Sequence, residues 1–444
     1  MELLGILGLA LAIMVIIYFS FKGLSIVISA PLAAIVAILC NRMDFFSSLI
    51  GTENSFMSGL AGFLINNFAI FLLGAILGQY MDKSGATQTI AEVLLKKIGI
   101  KSPYRVLVAL TIIGSVLTYG GISIFIVFFT LIPLARPIFQ KLDINWQLVS
   151  IPLFLGAGTY TMSMIPGTPS IQNAIPTTEL NTTLTAAPLL GFSATITILI
   201  FGFWYMKYEL NKSIKKGETF YSYLGKKANN MENNQDTSEK TLTKPSFITS
   251  ILPLMLLIGV ILLFSNVANI MLIALTMAIV CCALVFKRYL GDQKVVLNNG
   301  ANGAVGSSFG AASAVAFGSV LTNAPTFAIV QESLTNMPGP ALLTLGIITA
   351  LLSGVMAASG AIGTVVTQFA QPYLDMGIPA AVIHRVVVIG GGVLTVVPQS
   401  GAVIAFNSIS GLDFKHGFKQ AFIVSNGGFL LALIVTIILA QFIY

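Results

Sequence analysis

Between Tyr160 and Pro176 the chain reads Tyr-Thr-Met-Ser-Met-Ile-Pro-Gly-Thr-Pro-Ser-Ile-Gln-Asn-Ala-Ile-Pro, and this stretch gathers the groups best suited to bind a ligand. Ser163, Thr168, Ser170, Gln172 and Asn173 offer hydroxyls and carboxamides, while Pro166, Pro169 and Pro176 forbid a continuous helix. The stretch lies in a run from Ile144 to Thr178 that holds no Asp, Glu, Lys or Arg. Polar groups in so apolar a setting must be buried in protein or line an aqueous cavity. A broken helix can hold a carboxylate without any arginine, because helix N-termini carry partial positive charge and open N–H groups.

Three other interruptions carry the same residue types: Thr118–Ser123, Ser359–Thr364 and Pro398–Gly401. The candidate binding set is Tyr119, Gly120, Gly121, Ser123, Gly167, Thr168, Ser170, Gln172, Asn173, Ser359, Gly360, Thr364, Gln399 and Ser400. Its glycines let backbone approach a ligand, and its hydroxyls and amides can read hydroxyl groups. A small hydroxylated carboxylate matches this inventory. For Ser and Thr outside the breaks, a bond to a helical carbonyl is the simpler role.

Other chemistries find no footing. Cys40, Cys281 and Cys282 show no metal spacing and no disulfide framework, and His384 and His416 are too far apart for a metal centre. Gly306-Ser-Ser-Phe-Gly310 fits the form of a nucleophile elbow but lacks a strand and an acid partner. No Walker lysine motif or paired-histidine zinc motif is present. No enzyme activity and no cofactor are expected. His384-Arg385 opens an apolar run and reads as an interface marker, and no unambiguous intramembrane carboxylate stands out.

The elements that must position these groups are membrane helices. The chain has 444 residues, 56% hydrophobic and 9% charged, against about 25% charged in soluble domains. Met1–Phe21 lacks a basic start and reads as a span rather than a leader. The expectation is an all-α polytopic membrane protein with roughly ten to twelve transmembrane segments. Lys207–Lys244 is the long hydrophilic segment, with eight Lys against five acids, and belongs on the cytoplasmic side. It divides residues 1–206 from residues 246–444, with 207–245 as the linker.

Shifting the sequence by 240 residues sets Gly78 on Gly318, Ser84-Gly85 on Ala324-Pro325, Glu92 on Glu332, and Gly120 on Gly360. Paired breaks in corresponding places of two halves point to a transporter's binding site. The expectation is two pseudo-symmetric, inverted halves, each with a broken helix and a re-entrant hairpin, near Asn66–Leu95 and Ser307–Leu334.

Leu77-Gly-Gln-Tyr-Met-Asp-Lys-Ser-Gly-Ala-Thr-Gln-Thr-Ile-Ala91 resembles a segment of the gluconate permease (GntP) family. Ser163-Met-Ile-Pro-Gly-Thr-Pro-Ser170 looks like that family's proline-glycine-proline loop, and Met337-Pro-Gly-Pro-Ala341 leading into Gly354–Gly363 resembles its second broken helix. The resemblance implies a proton-coupled importer of sugar acids or short hydroxy acids, in the ion transporter superfamily with paired hairpins. Tyr160-Thr-Met-Ser-Met and Pro398-Gln-Ser-Gly401 depart from the gluconate members, and Ile165–Asn173 looks more like permeases for 3-hydroxybutyrate or for uncharacterised organic acids. The expected partners are a small organic anion, a coupling cation (proton ahead of sodium) and the lipid bilayer, with no nucleic acid. The expected place is the bacterial cytoplasmic membrane. A sodium-coupled carrier, an exchanger of dicarboxylates or citrate, and a homodimer are left open.

Overall fold

The computed structural model describes residues 2–22, 24–98, 102–222, 244–264, 267, 269–327, 329, 340–397, 400–412 and 414–444. Among these residues every regular element is a helix. Apolar composition favours helices because backbone in lipid must bond itself, and the sequence then fixes where each one starts and stops. Ser55, Ser102, Ser123, Ser170 and Ser246 each accept a first-turn N–H and so start a helix. Gly85 and Gly411, at φ +76° and +73°, follow helices that end there.

The longest helices are Phe56–Lys83, Pro188–Lys215, Gln293–Thr322 and the stretch Lys415–Ile443, and all four are long and apolar enough to cross a bilayer. Ile124–Lys141 bends by 42° and makes a fifth if taken as one span. Among the described residues there are seven shorter apolar helices besides. Only when these are counted does the chain reach the expected ten to twelve. Large apolar side chains such as Ile65, Leu263 and Phe442 face outward, each at least 80% exposed, which suits a lipid surface.

Asn66-Asn67 leaves its helix unbroken, since Asn67 Nδ2 bonds the Phe63 carbonyl at 3.0 Å and Asn66 Nδ2 bonds Glu179 at 2.9 Å. Phe56–Lys83 and Gln293–Thr322 are continuous helices, and the first turns at Ser84-Gly85 into the helix Ala86–Ile98, which packs back on it. Residues 330–334 lie outside the described residues. A second helix–turn–helix is built by Pro103–Tyr119 and Ile124–Lys141, around Gly120–Ser123. The 188–215 helix also runs on past Met206 into the expected linker, whose residues 223–243 lie outside the described residues.

The 56–83 and 293–322 helices pack antiparallel, with Gly59 against Ser319 and Gly300 against Ile76. The 188–215 and 428–443 helices do the same, Ile198 facing Gly428 and Phe201 facing Gly427. Ile26–Cys40 packs on the 293–322 helix, and Ile270–Val285 packs on the 56–83 helix. Phe128, Phe154 and Phe406 stack with centroids 5.2 to 5.5 Å apart, joining helices from both ends of the chain.

Gly156 shows how tight this packing is. A Cβ there would collide with the Thr111 carbonyl and reach 3.0 Å from Thr111 Cα, backbone that cannot swing away. Gly156→Ala is expected to cost about 2 kcal/mol, seen as a lower melting temperature in detergent. Gly62→Ala is the control and should hold or raise that temperature, because nothing lies within 4 Å of its Cβ.

Candidate functional site

Thr159 breaks the helix Ser150–Gly158 at φ −123°, ψ −109°, and the chain passes through the short helix Tyr160–Ser163 into the proline loop. Pro166 and Pro169 remove two N–H donors, and Gly167 sits at φ +81°. The helix Ile171–Glu179 then starts at Ser170, whose hydroxyl accepts from Asn173 N at 3.2 Å.

The side chains of this loop mostly hold the loop itself. Thr168 Oγ1 donates to the Thr161 carbonyl, and Ser170 Oγ donates to the Met162 carbonyl. Gly167 N donates to the Leu184 carbonyl at 3.0 Å. Asn173 is wholly buried, and Nδ2 donates to the carbonyls of Thr168 (3.1 Å) and Leu184 (2.8 Å). Its Oδ1 accepts from His384 Nε2 at 3.1 Å and Arg385 Nη1 at 3.3 Å. That exhausts the hydrogen-bonding capacity of the carboxamide.

His384 and Arg385 correct an expectation. Both are fully buried on the helix Ala380–Gly390 and not at an interface. Arg385 donates to the Ala186 carbonyl through Nη2 (2.6 Å) and Nε (3.1 Å), and to the Ser163 carbonyl through Nη1 (2.8 Å). Among the described residues no carboxylate side chain bonds it, and the groups that accept from it are backbone carbonyls and the Asn173 carboxamide. With Asn173 holding His384 Nε2–H, Nδ1 accepts from Thr182 Oγ1 at 2.7 Å. The signal for this pair was present in the sequence, as two ionisable residues inside an apolar run.

The other predicted residues gather round the loop. Tyr119 donates its hydroxyl to the Pro166 carbonyl at 3.3 Å. Gly120 packs on Leu254, and Gly121, at φ +82°, lies against Leu257, Leu77 and Pro169. Leu254 and Leu257 sit at the middle of the helix Phe247–Leu263, while Gly167 meets Leu262 near its end. Ser123 caps the 124–141 helix and is exposed, and Phe125 reaches Gly401 at the start of the helix Gly401–Ser410, whose N-cap is Ser400. The 124–141 and 401–410 helices therefore start close together, and the Gly121 turn that leads into the first of them lies against Pro169, one residue ahead of the Ser170 cap of the 171–179 helix.

Ser359, Gly360 and Thr364 lie on the helix Ala341–Gln368, against which the 171–179 helix packs. Ala357, at φ +59° and ψ 167°, interrupts that helix just before them. Gln399 and Pro398 lie outside the described residues. Gln172 is half-buried, and its Oε1 has no hydrogen-bond partner. Ser308, by contrast, bonds the Val305 carbonyl at 3.2 Å, as a helical serine does when it serves only its own helix.

Apolar helices broken about a polar, dipole-rich junction define the class as a helical membrane transporter. The crystal structure of the Alcanivorax borkumensis YdaH transporter is similar in fold, with a TM-score of 0.54 and 12% identity over 87% of this chain and 86% of that one. The sequence profile of the GntP family permeases matches residues 1–442, and the chain belongs to that family. It is also 29% identical, over 464 aligned positions and 96% of each chain, to the uncharacterized transporter YxjC of Bacillus subtilis (strain 168).

Proposed function

We propose that this chain imports a small hydroxylated organic acid across a bacterial cytoplasmic membrane, by proton symport and alternating access. The observation that carries the reading is the broken stretch at Gly167–Ser170, where the 171–179 helix starts within reach of the buried Arg385 and the Gly121 turn packs on Pro169. The dipole of the 171–179 helix favours a carboxylate there, and the buried Arg385 adds a positive charge that no side-chain carboxylate bonds among the described residues. Gln172 Oε1 awaits a donor, which a substrate hydroxyl supplies. Thr168, Ser170 and Asn173 shape the loop, while the helix dipole and Gln172 face the ligand.

The paired antiparallel contacts support two inverted halves. The helices 56–83 and 293–322 face each other, and each receives the helix that is the other's neighbour in sequence. Rocking of one half against the other about the junction gives alternating access.

The test is uptake of labelled gluconate, 3-hydroxybutyrate, lactate and citrate into proteoliposomes, under an imposed pH gradient and separately under a sodium gradient. Saturable accumulation of one hydroxy monocarboxylate driven by protons is expected. Uptake driven by sodium alone, or only in exchange for internal citrate, overturns the proton-symport reading. Gln172→Ala should raise KM for the hydroxy acid about tenfold, the worth of one ligand hydrogen bond, and leave KM for its deoxy analogue unchanged. An equal effect on both acids removes Gln172 from hydroxyl recognition.

A further inference from the structure

Away from the junction, at the end where the Lys-rich segment leaves the 188–215 helix, lies a cavity of about 300 Å³. Lys212, Ser213 and Lys216 line it from that helix, and Lys415 and Lys419 line it from the helix Phe414–Phe422. Its two carboxylates are already taken. Glu209 is buried and accepts from Lys212 Nζ at 3.2 Å and Gln420 Nε2 at 3.1 Å. Glu218 accepts from Asn145 Nδ2 at 2.8 Å and pairs with Lys216 at 3.9 Å.

Two lysines thus balance two carboxylates, and Lys415 and Lys419 remain over. They stand one turn apart, so both reach the same cavity from one helix face. The lining carries two lysines in excess of its carboxylates, enough to hold the single negative charge of a phosphodiester. The volume lies at the small end of ligand pockets, suited to a headgroup and not to an acyl chain.

The level of the cavity identifies the source. Trp204 and Tyr208 are more than half exposed on the outer face of the same helix, stacked with centroids 5.8 Å apart. Lys212 Nζ lies 5.6 Å over the Tyr208 ring. Exposed Trp and Tyr mark the membrane–water interface, so the lysines one and two turns further on stand at headgroup level. We propose that this cavity binds the phosphoryl headgroup of an anionic phospholipid. Held there, the headgroup ties the end of the 188–215 helix to the start of the last span and restrains their relative movement.

The test uses the purified full chain, stripped of lipid in neutral detergent, and measures binding and thermal shift with short-chain phosphatidylglycerol, short-chain phosphatidylcholine and inorganic phosphate. Phosphatidylglycerol should bind and raise the melting temperature, and phosphatidylcholine should do neither. Lys415→Gln and Lys419→Gln should each weaken binding about fivefold, and together roughly 25-fold, as expected for lysines at an anionic surface. Lys96→Gln with Lys97→Gln should change nothing. Full affinity in the Lys415/Lys419 double variant, or equal binding of phosphatidylcholine, overturns the site. Binding of inorganic phosphate with the same lysine dependence, but not of phosphatidylglycerol, overturns the bilayer as its source.

Discussion

Arg385→Lys should be as damaging as Arg385→Gln, with both losing uptake at least about 100-fold and melting well below the wild type. The guanidinium reaches the carbonyls of Ser163 and Ala186 and the carboxamide of Asn173, three chain segments fixed by one planar group. An ammonium keeps the charge but presents its donors from one point and cannot span that fork. Each buried carbonyl left without its donor costs about 1 to 3 kcal/mol, so two of them cost about 4 kcal/mol. The substrate junction is fixed by the same bonds, and misplacing it by an ångström is enough to lose the rate. Melting temperature in detergent and initial uptake rate read the two effects. Arg105→Gln, an exposed change, should stay within about 0.5 kcal/mol of the wild type. An Arg385→Lys protein that folds and transports normally would show that charge alone is needed there.

The sequence announced the breaks and not what holds them. Three prolines, a charge-free run and the paired glycines located the 166–173 loop and the Tyr119–Ser123 turn, because these residue types act on their own backbone. Serine caps were legible for the same reason, since a cap is made within four residues. Asn66-Asn67 shows the converse, because an asparagine side chain can satisfy itself on the carbonyl four residues back, as Asn67 does with Phe63, and leave the helix intact. His384 and Arg385 were misplaced for a different reason. Their acceptors lie about 200 residues away in the chain, at Asn173, Ser163 and Ala186, and no local pattern encodes such a partner. The same distance hid the roles of Thr168 and Ser170. Their hydroxyls suit a ligand by type, and only tertiary geometry shows them turned onto the Thr161 and Met162 carbonyls.

Asn173→Asp and Asn173→Ala should separate the stability of the junction from its electrostatics. Alanine removes two donors and two accepted bonds at once, leaving the carbonyls of Thr168 and Leu184 and the donors of His384 and Arg385 short of partners. A stability loss of about 3 kcal/mol or more is expected, and lost transport then follows from a loosened loop. Aspartate has the same shape and still accepts from His384 and Arg385. It loses the two donors, and its second oxygen faces two carbonyl oxygens. Against that loss it gains a charged bond to a guanidinium 3.3 Å away, worth roughly twice a neutral one. The two changes nearly offset, and Asn173→Asp should melt within about 2 kcal/mol of the wild type. Yet the new carboxylate cancels the positive charge beside the junction and repels an anion at low dielectric, so uptake should be abolished in a folded protein. Comparable transport by the aspartate variant and the wild type would mean that Arg385 only braces the loop and its charge does not reach the ligand. An aspartate variant as unstable as alanine would mean that the donors to Thr168 and Leu184 outweigh the charge pair, and the loop, not the field, is what Asn173 protects.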